Sequence, residues 1–271
     1  MRKVVLLTGA SSGIGKETAK ILAQSNYMVY AAARRVEKLK DLESVGVKAV
    51  YLDVTDDHSM VKAVNQILET ESRIDMLINN AGFGLYGAVE DVDIEAAKHQ
   101  FEVNLFGATR LIQLVLPKMR ENKYGKIVNI SSGGGRFSTP YGGWYHSSKF
   151  ALEGLSDSLR NEVKQFGIDV IVIEPGAVDS EFSGIAIESL LESSKGSVYF
   201  STISRLAQSY QAMQKNNSKP LVISNLIKKA IESKKPKTRY AGGNGIKPAL
   251  FLRWLLTDKA FDKMLQRQLK Y

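Results

Sequence analysis

Thr8-Gly9-Ala10-Ser11-Ser12-Gly13-Ile14-Gly15 is the stretch on which the fold turns. It follows the apolar run Val4–Leu7 and opens a helical pattern over Gly13–Gln24, so it reads as strand, glycine-rich turn and helix. Glycine permits a tight turn and close approach of a ligand to the backbone. The helix N-terminus behind the turn offers free N–H groups and the positive end of its dipole to an anion. The spacing is G-x-x-x-G-x-G rather than the commoner G-x-G-x-x-G. A purely structural turn is the alternative. Its position at the start of an alternating strand–helix chain favours a pyrophosphate held by Gly9, Ser11, Ser12, Gly13, Ile14 and Gly15.

Outward from that turn, short β-rich runs alternate with helical ones. Strands are expected over Lys3–Thr8, Tyr27–Ala33, Lys48–Asp53, Ile74–Asn79, Lys126–Ser131 and Asp169–Glu174. Helices are expected over Gly13–Gln24, His58–Glu69, Phe101–Met119 and Gly143–Phe166. Nearly continuous Val, Ile and Leu runs suit parallel strands covered on both faces. The expectation is a Rossmann-type, doubly wound parallel sheet with helices on both faces, in a single α/β domain. Residues 183–220 break the rhythm with serines, Gly184 and Gly196, and suggest only short helical fragments. A helix over Leu221–Ser233, a short strand over Thr238–Ala241 and one amphipathic helix over Pro248–Leu269 complete the reading. Residues 1–182 would form the core, 183–220 a cover over the ligand and 221–271 the C-terminal helices.

The 271 residues contain no cysteine, which excludes disulfides, thiolate catalysis and cysteine-based zinc sites. Scattered Asp and Glu form no credible metal cluster, so no metal is expected. The apolar run after Met1-Arg2-Lys3 stops at Thr8, far short of the roughly 20 residues of a membrane span. A buried first strand and a cytoplasmic protein are the expectation. The net charge of +9 is unevenly placed: residues 219–271 carry 13 Lys and Arg against 3 Asp and Glu, the rest 24 against 25. A basic bias confined to a tail does not supply the phosphate-matched, stacking surface that nucleic acid needs. No nucleic-acid partner is expected.

The end of the second strand decides between the two nicotinamide cofactors. A carboxylate there binds the ribose 2′-hydroxyl, whereas arginine accommodates a 2′-phosphate. The strand ends in Arg34-Arg35, with no carboxylate until Glu37. Two guanidiniums attract a phosphate dianion through several donors. The expected cofactor is NADP(H).

Tyr145-His146-Ser147-Ser148-Lys149 opens a helix, and positions i and i+4 share one face. A tyrosine with a reference pKa of about 10 is a poor base, but a fixed cation nearby favours its anion. Ser132 stands thirteen positions before Tyr145, across the Gly133-Gly134-Gly135 turn. Asn79-Asn80-Ala81-Gly82 closes the preceding strand, and Asn104 lies in the next helix. Together with the glycine turn and Pro175-Gly176, these residues resemble the short-chain dehydrogenase/reductase family in order and spacing over about residues 1–182.

The resemblance implies roles by position. Tyr145 would exchange a proton with the substrate oxygen, and Ser132 would hydrogen-bond that oxygen. Lys149 would lower the tyrosine pKa and bind the nicotinamide ribose. Asn104 would hold a water that extends the relay from Lys149. Asp53 and Val54 would contact adenine, with Asn80, Ala81 and Gly82 along the adenosine. Pro175, Gly176, Val178 and Ser180 would wrap the nicotinamide amide. Ser12 stands where many NADP(H)-using members carry a basic residue, so the phosphate reading rests on Arg34 and Arg35. The family also implies a homodimer or homotetramer, with the helices over 101–119 and 143–166 as contacts.

His146 lies about 100° around the helix from Tyr145, which assigns it to packing. His58 and His99 show no ligand spacing and receive no site. Trp144 borders the cleft or belongs to the core. Phe182, Ile185, Ile187, Leu190, Leu191, Tyr199 and Phe200 suggest a lipophilic carbonyl or alcohol substrate, and the Phe83–Gly87 stretch resembles members acting on steroid- or retinoid-like alcohols. The tail Pro248–Tyr271 is expected to pack on protein, with weak membrane-surface contact as the alternative. The rivals to an active oxidoreductase are a catalytically silent NADP(H)-binding regulator and an enzyme of elimination or epimerisation on the same fold.

Overall fold

The strands are β1 (Val4–Thr8), β2 (Met28–Ala33), β3 (Lys48–Tyr51), β4 (Met76–Asn79), β5 (Gly125–Ile130), β6 (Ile168–Pro175) and β7 (Arg239–Gly242). They form one seven-stranded sheet in the order β3-β2-β1-β4-β5-β6-β7, every neighbouring pair parallel. In this computed structural model residues 2–269 are described. Met1, at the start of the N-terminal reading, and Lys270 and Tyr271, at the end of the tail reading, lie outside them.

The helices are α1 (Gly13–Gln24), α2 (Lys40–Glu43), α3 (Asp57–Glu71), α4 (Ile94–Phe101), α5 (Gly107–Glu121), α6 (Gly143–Val163), α7 (Glu181–Ser193), α8 (Phe200–Met213), α9 (Pro220–Glu232), α10 (Ile246–Leu255) and α11 (Asp258–Leu269). Local chemistry fixes several of their starts. Asp56 caps α3 by accepting from His58 N–H at 3.0 Å, and Asp93 caps α4 by accepting from Ala96 N–H at 3.0 Å. Pro220 opens α9, where its missing N–H costs nothing.

Alternation along the strands divides the core between the two faces. Val4 and Leu6 join Tyr30, Leu77 and Ile127 against Met60, Val64, Leu111 and Leu159 of α3, α5 and α6. Val5 and Leu7 join Val29, Ile78, Val128 and Ile171 against Ala19 and Leu22 of α1 and Ile223 and Ile227 of α9. Each fully buried Leu or Ile contributes roughly 1.5–3 kcal/mol. The doubly wound sheet expected from sequence is therefore the one formed. β1 lies between β2 and β4, so the chain changes direction across the sheet there. The carboxyl ends of β1 and β4 leave the crevice where such sheets take ligands.

Three sequence expectations need correction. Residues 183–220 hold two substantial helices, α7 and α8, rather than short fragments. Their apolar residues find partners far away in sequence: Ile187, Leu190, Ile203 and Ala207 share a separate small core with Ala88 and Tyr141. The expected helix over 101–119 is interrupted by a π-turn at Glu102–Phe106, with α4 before it and α5 after it. The single tail helix is two, α10 and α11, separated at Leu256 and Thr257.

Candidate active site

The glycine turn and the end of β4 are locked to each other. Gly9 has φ +65° and Gly13 φ +52°, left-handed values that favour glycine. A Cβ on Gly9 would lie 2.7 Å from Ala81 Cα, and one on Gly15 only 2.3 Å from the Gly9 carbonyl oxygen. The Thr8 hydroxyl accepts from the N–H groups of Asn80 and Ala81, both at 3.1 Å. Asn80 Nδ2 donates to the carbonyls of Thr8 and Gly9 at 3.0 Å each. α1 has no side-chain cap and no acidic residue in its first turn. Its first N–H groups and its dipole thus meet no internal anion, and the cradle fits a pyrophosphate.

At the outer end, Arg34 and Arg35 follow β2 directly and Asp53 follows β3. Burial would raise the Asp53 carboxyl. Hydrogen bonds from the Thr55 N–H (2.9 Å) and hydroxyl (2.8 Å), with the charge of Arg34, hold it below its usual range. His99, given no role from sequence, also lines this end, tilted against Phe83 at 5.7 Å between ring centroids.

At the other end Tyr145 is 6% exposed, in the first turn of α6. Burial pushes its phenol up to about 12, while hydrogen bonding with Ser132 pulls it down. Ser132 also accepts from Gly134 N–H at 3.0 Å, capping the tight turn Gly133–Gly135. Ser131 is turned into the interior, where a side chain on Gly135 would strike its hydroxyl and Glu153. Tyr86 stacks on Tyr145 at 5.4 Å, and Phe182 of α7 tilts against it at 5.5 Å.

Lys149 is also buried, 5% exposed, and its ammonium donates to the Ile130 carbonyl at 2.9 Å. Burial brings it down to about 8, against an opposing pull from Glu153. Lys149 is not among the groups that set the Tyr145 shift here. Loss of hydration dominates the phenol, and the ammonium is held by a carbonyl. Asn104 sits in the π-turn, a distortion frequent at functional sites. Its Oδ1 accepts from Phe83 N–H, and its Nδ2 donates to the Phe83 carbonyl and Ser148 Oγ, each at 3.0 Å. A Cβ on Gly82 would lie 3.1 Å from Asn104 Oδ1 and 3.5 Å from Lys149 Nζ, so the three positions adjoin.

His146 does pack, and it does more. Its Nε2 accepts from Thr139 N–H at 3.1 Å, which leaves the proton on Nδ1 to donate to the Gly134 carbonyl at 3.0 Å. The ring therefore ties the Ser132 turn to the start of α6. Neither the spacing nor the residue type signalled this.

One cavity of about 710 Å³ joins the two ends. Its wall includes the expected Gly9, Ser11, Ser12, Gly13, Ile14, Arg34, Arg35, Asp53, Val54, Asn80, Ala81, Gly82, Ser132, Tyr145, Lys149, Pro175, Gly176, Val178 and Ser180. Gly15 and Asn104 stand behind it, as supports. Of the apolar residues expected over the substrate, only Phe182 and Ile185 reach the wall, joined there by Phe83 and Tyr86. Ile187 and Leu190 are spent on the small core between α7 and α8. Trp144 is not in the wall; its indole N–H is buried without a partner among the described residues.

Comparison with known proteins agrees with this geometry. The family model described as short chain dehydrogenase matches residues 3–189. A probable short-chain type dehydrogenase/reductase of Helicobacter pylori is 35% identical over 263 residues, covering 97% of this chain and 96% of its own. A 3-ketodihydrosphingosine reductase of Bacteroides thetaiotaomicron is 37% identical over 238 residues, 88% of this chain and 86% of its own. Among solved structures, a short-chain dehydrogenase of Streptomyces avermitilis superposes with a TM-score of 0.82 at 32% identity, covering 99% of this chain and 96% of that one. A metagenomic short-chain oxidoreductase in complex with NADP has a TM-score of 0.69 at 25% identity, over 89% of this chain and 96% of that one. A Burkholderia phymatum protein in complex with NAD shares the fold, with a TM-score of 0.80 at 20% identity over 97% and 95%. This chain is a member of the short-chain dehydrogenase/reductase family of oxidoreductases.

Proposed function

We propose that the protein interconverts a hydrophobic ketone or aldehyde and its alcohol using NADP(H), with Tyr145 as the acid–base group. The observation that carries this reading is the buried Tyr145 phenol, hydrogen-bonded with Ser132 in the same cavity as the glycine turn and Arg34-Arg35. When bound, NADP(H) supplies or accepts a hydride at its nicotinamide ring. The chain's own residues do the rest.

The glycine turn and the first N–H groups of α1 hold the pyrophosphate, and Arg34 and Arg35 the 2′-phosphate. Asp53 and Val54 flank the adenine, and Asn80, Ala81 and Gly82 the adenosine. Lys149 binds the nicotinamide ribose. Pro175, Gly176, Val178 and Ser180 hold the amide. In reduction Tyr145 gives its proton to the substrate oxygen, and Ser132 donates a hydrogen bond to the same atom. Asn104 holds a water against Lys149 that returns the proton.

The substrate side of the wall, Tyr86, Phe182 and Ile185, is largely apolar, and the Bacteroides relative is named for reducing a keto group on dihydrosphingosine. A panel of ketones, aldehydes and alcohols with NADPH and NADH tests both points. Preference for NADPH and for lipophilic carbonyls is expected. Turnover of polar sugars alone, or a clear preference for NADH, contradicts the corresponding half.

Two finer features belong to the same reading. Phe106 of the π-turn and Phe150 of α6 are exposed, and we assign them to the contacts of a homodimer or homotetramer. Light scattering behind a sizing column, with Phe150→Asp as the comparison, reads that directly. In the tail, Phe261 packs on Phe137, whereas Phe251, Trp254 and Leu255 of α10 are exposed. Weak contact with an anionic membrane surface is assigned to that face of α10. It predicts vesicle binding that Trp254→Ser diminishes.

A further inference from the structure

The outer rim of the cleft carries an ionic cluster that no sequence motif indicates. Glu181, in the first turn of α7, accepts from Arg35 Nη2 at 2.9 Å and from Lys38 Nζ at 3.1 Å. Arg35 Nη2 also reaches Ser11 Oγ, within the glycine turn, at 3.2 Å. The two cations bring the Glu181 carboxyl down to about 2, although its side chain is 43% exposed. Arg34, beside them, makes no hydrogen bond or ion pair among the described residues. The anion now satisfying Arg35 and Lys38 thus belongs to the protein itself.

Glu181 stands at a junction. Ser180 lies against Gly13, where an added Cβ would be 3.0 Å from the Ser180 Cβ. Phe182 lies on the Tyr145 ring. One turn of backbone therefore touches the arginine that faces the adenosine end, the phosphate turn and the reactive phenol.

We propose that Glu181 is a specificity-determining residue that occupies Arg35 and Lys38 in place of the 2′-phosphate, so that this phosphate must displace it. The inference rests on the NADP(H) reading, and it adds Lys38 as a third cation for the phosphate. A carboxylate and a phosphate dianion on the same guanidinium repel each other, so occupancy by one loosens the other. A cofactor lacking the phosphate leaves the Glu181 contact intact. Binding of NADP(H) therefore releases the first turn of α7 from the rim, and binding of NAD(H) does not.

The test is calorimetric titration of adenosine 2′,5′-bisphosphate and 5′-AMP, which differ by the 2′-phosphate, into the full-length wild type, Glu181→Gln and Lys38→Met. Glu181→Gln should tighten the bisphosphate about three- to ten-fold, the range of an exposed ion-pair network, and leave 5′-AMP unchanged. Lys38→Met should weaken the bisphosphate alone. Amide exchange in residues 183–193 of the wild type should rise with the bisphosphate and not with 5′-AMP. The inference is overturned if Glu181→Gln leaves bisphosphate affinity equal or weaker while the wild type still prefers it to 5′-AMP; the NADP(H) reading then stands. If neither the wild type nor Glu181→Gln shows such a preference, the NADP(H) reading fails and the inference with it. A preference that appears only in Glu181→Gln would still uphold the displacement.

Discussion

Tyr145 and Lys149, one turn apart on α6, are displaced by burial in opposite directions, the phenol up to about 12 and the ammonium down to about 8. Both shifts follow from lost hydration, which disfavours whichever form is charged. At neutral pH the phenol keeps its proton and most of the ammonium keeps its charge. That is the state required to give a proton to a carbonyl oxygen. Carbonyl reduction should therefore hold steady across neutral pH and fall as pH rises through about 8, where Lys149 loses its charge. Alcohol oxidation needs the phenol as a base, so it should rise with pH across this range and onward towards about 12. Rate profiles in both directions check this, and a reduction rate that stays level to pH 10 contradicts it.

The same burial makes Lys149 a cost to stability. Its pKa falls from 10.5 unfolded to about 8 folded, so the unfolded chain holds the proton more tightly between those values. The penalty is complete below about pH 8 and is relieved as pH rises towards 10.5, amounting to roughly 3 kcal/mol at most. Lys149→Met should therefore stabilise the protein by about 1–2 kcal/mol at pH 7, raising Tm by a few degrees, while abolishing turnover. A lowered Tm would show that the Ile130 carbonyl contact outweighs desolvation.

His146 offers a prediction away from the reacting atoms. His146→Leu leaves the Gly134 carbonyl and Thr139 N–H without their partner, at roughly 1–3 kcal/mol for the buried carbonyl and less for the half-buried N–H. Because the Ser132 turn is released from α6, turnover should fall about ten-fold or more, with a smaller change in KM. Burial depresses the His146 pKa below 6.5. The unfolded chain then takes up the proton first, so its contribution to stability is present above pH 6.5 and is lost as pH falls below it. Denaturation curves at pH 7 and pH 5 should differ less in the variant than in the wild type.

For the cofactor, Arg34→Ala with Arg35→Ala should raise the KM for NADPH ten- to a hundred-fold, about the worth of one or two charge-assisted hydrogen bonds. The KM for NADH should stay within about two-fold. An equal loss for both cofactors would mean that the arginines support the rim rather than read a phosphate.

The parts legible in the sequence are those whose chemistry is local. Gly9 and Gly15 announce a backbone that no side chain can share, and the apolar strand before them fixes where it lies. Ser132, Tyr145 and Lys149 could be found because a strand end and one helical turn set their separation. What escaped depends on contacts distant in sequence. Glu181 meets Arg35 across 146 positions, and α7 and α8 are stabilised by Ala88 and Tyr141 from outside their segment. His99 reaches the cleft only because α4 is folded back beside it. The π-turn holding Asn104 inserts a fold-level distortion into a pattern that reads as one continuous helix.

The most direct measurement is the consumption of NADPH, followed by its absorbance, with a lipophilic ketone and either the wild type or Tyr145→Phe. The account predicts turnover by the wild type and a loss of at least about a hundred-fold in Tyr145→Phe, with NADPH affinity retained. Undiminished turnover by Tyr145→Phe would contradict it. So would a wild type that binds NADPH but reduces no carbonyl, which is the behaviour of a silent regulator.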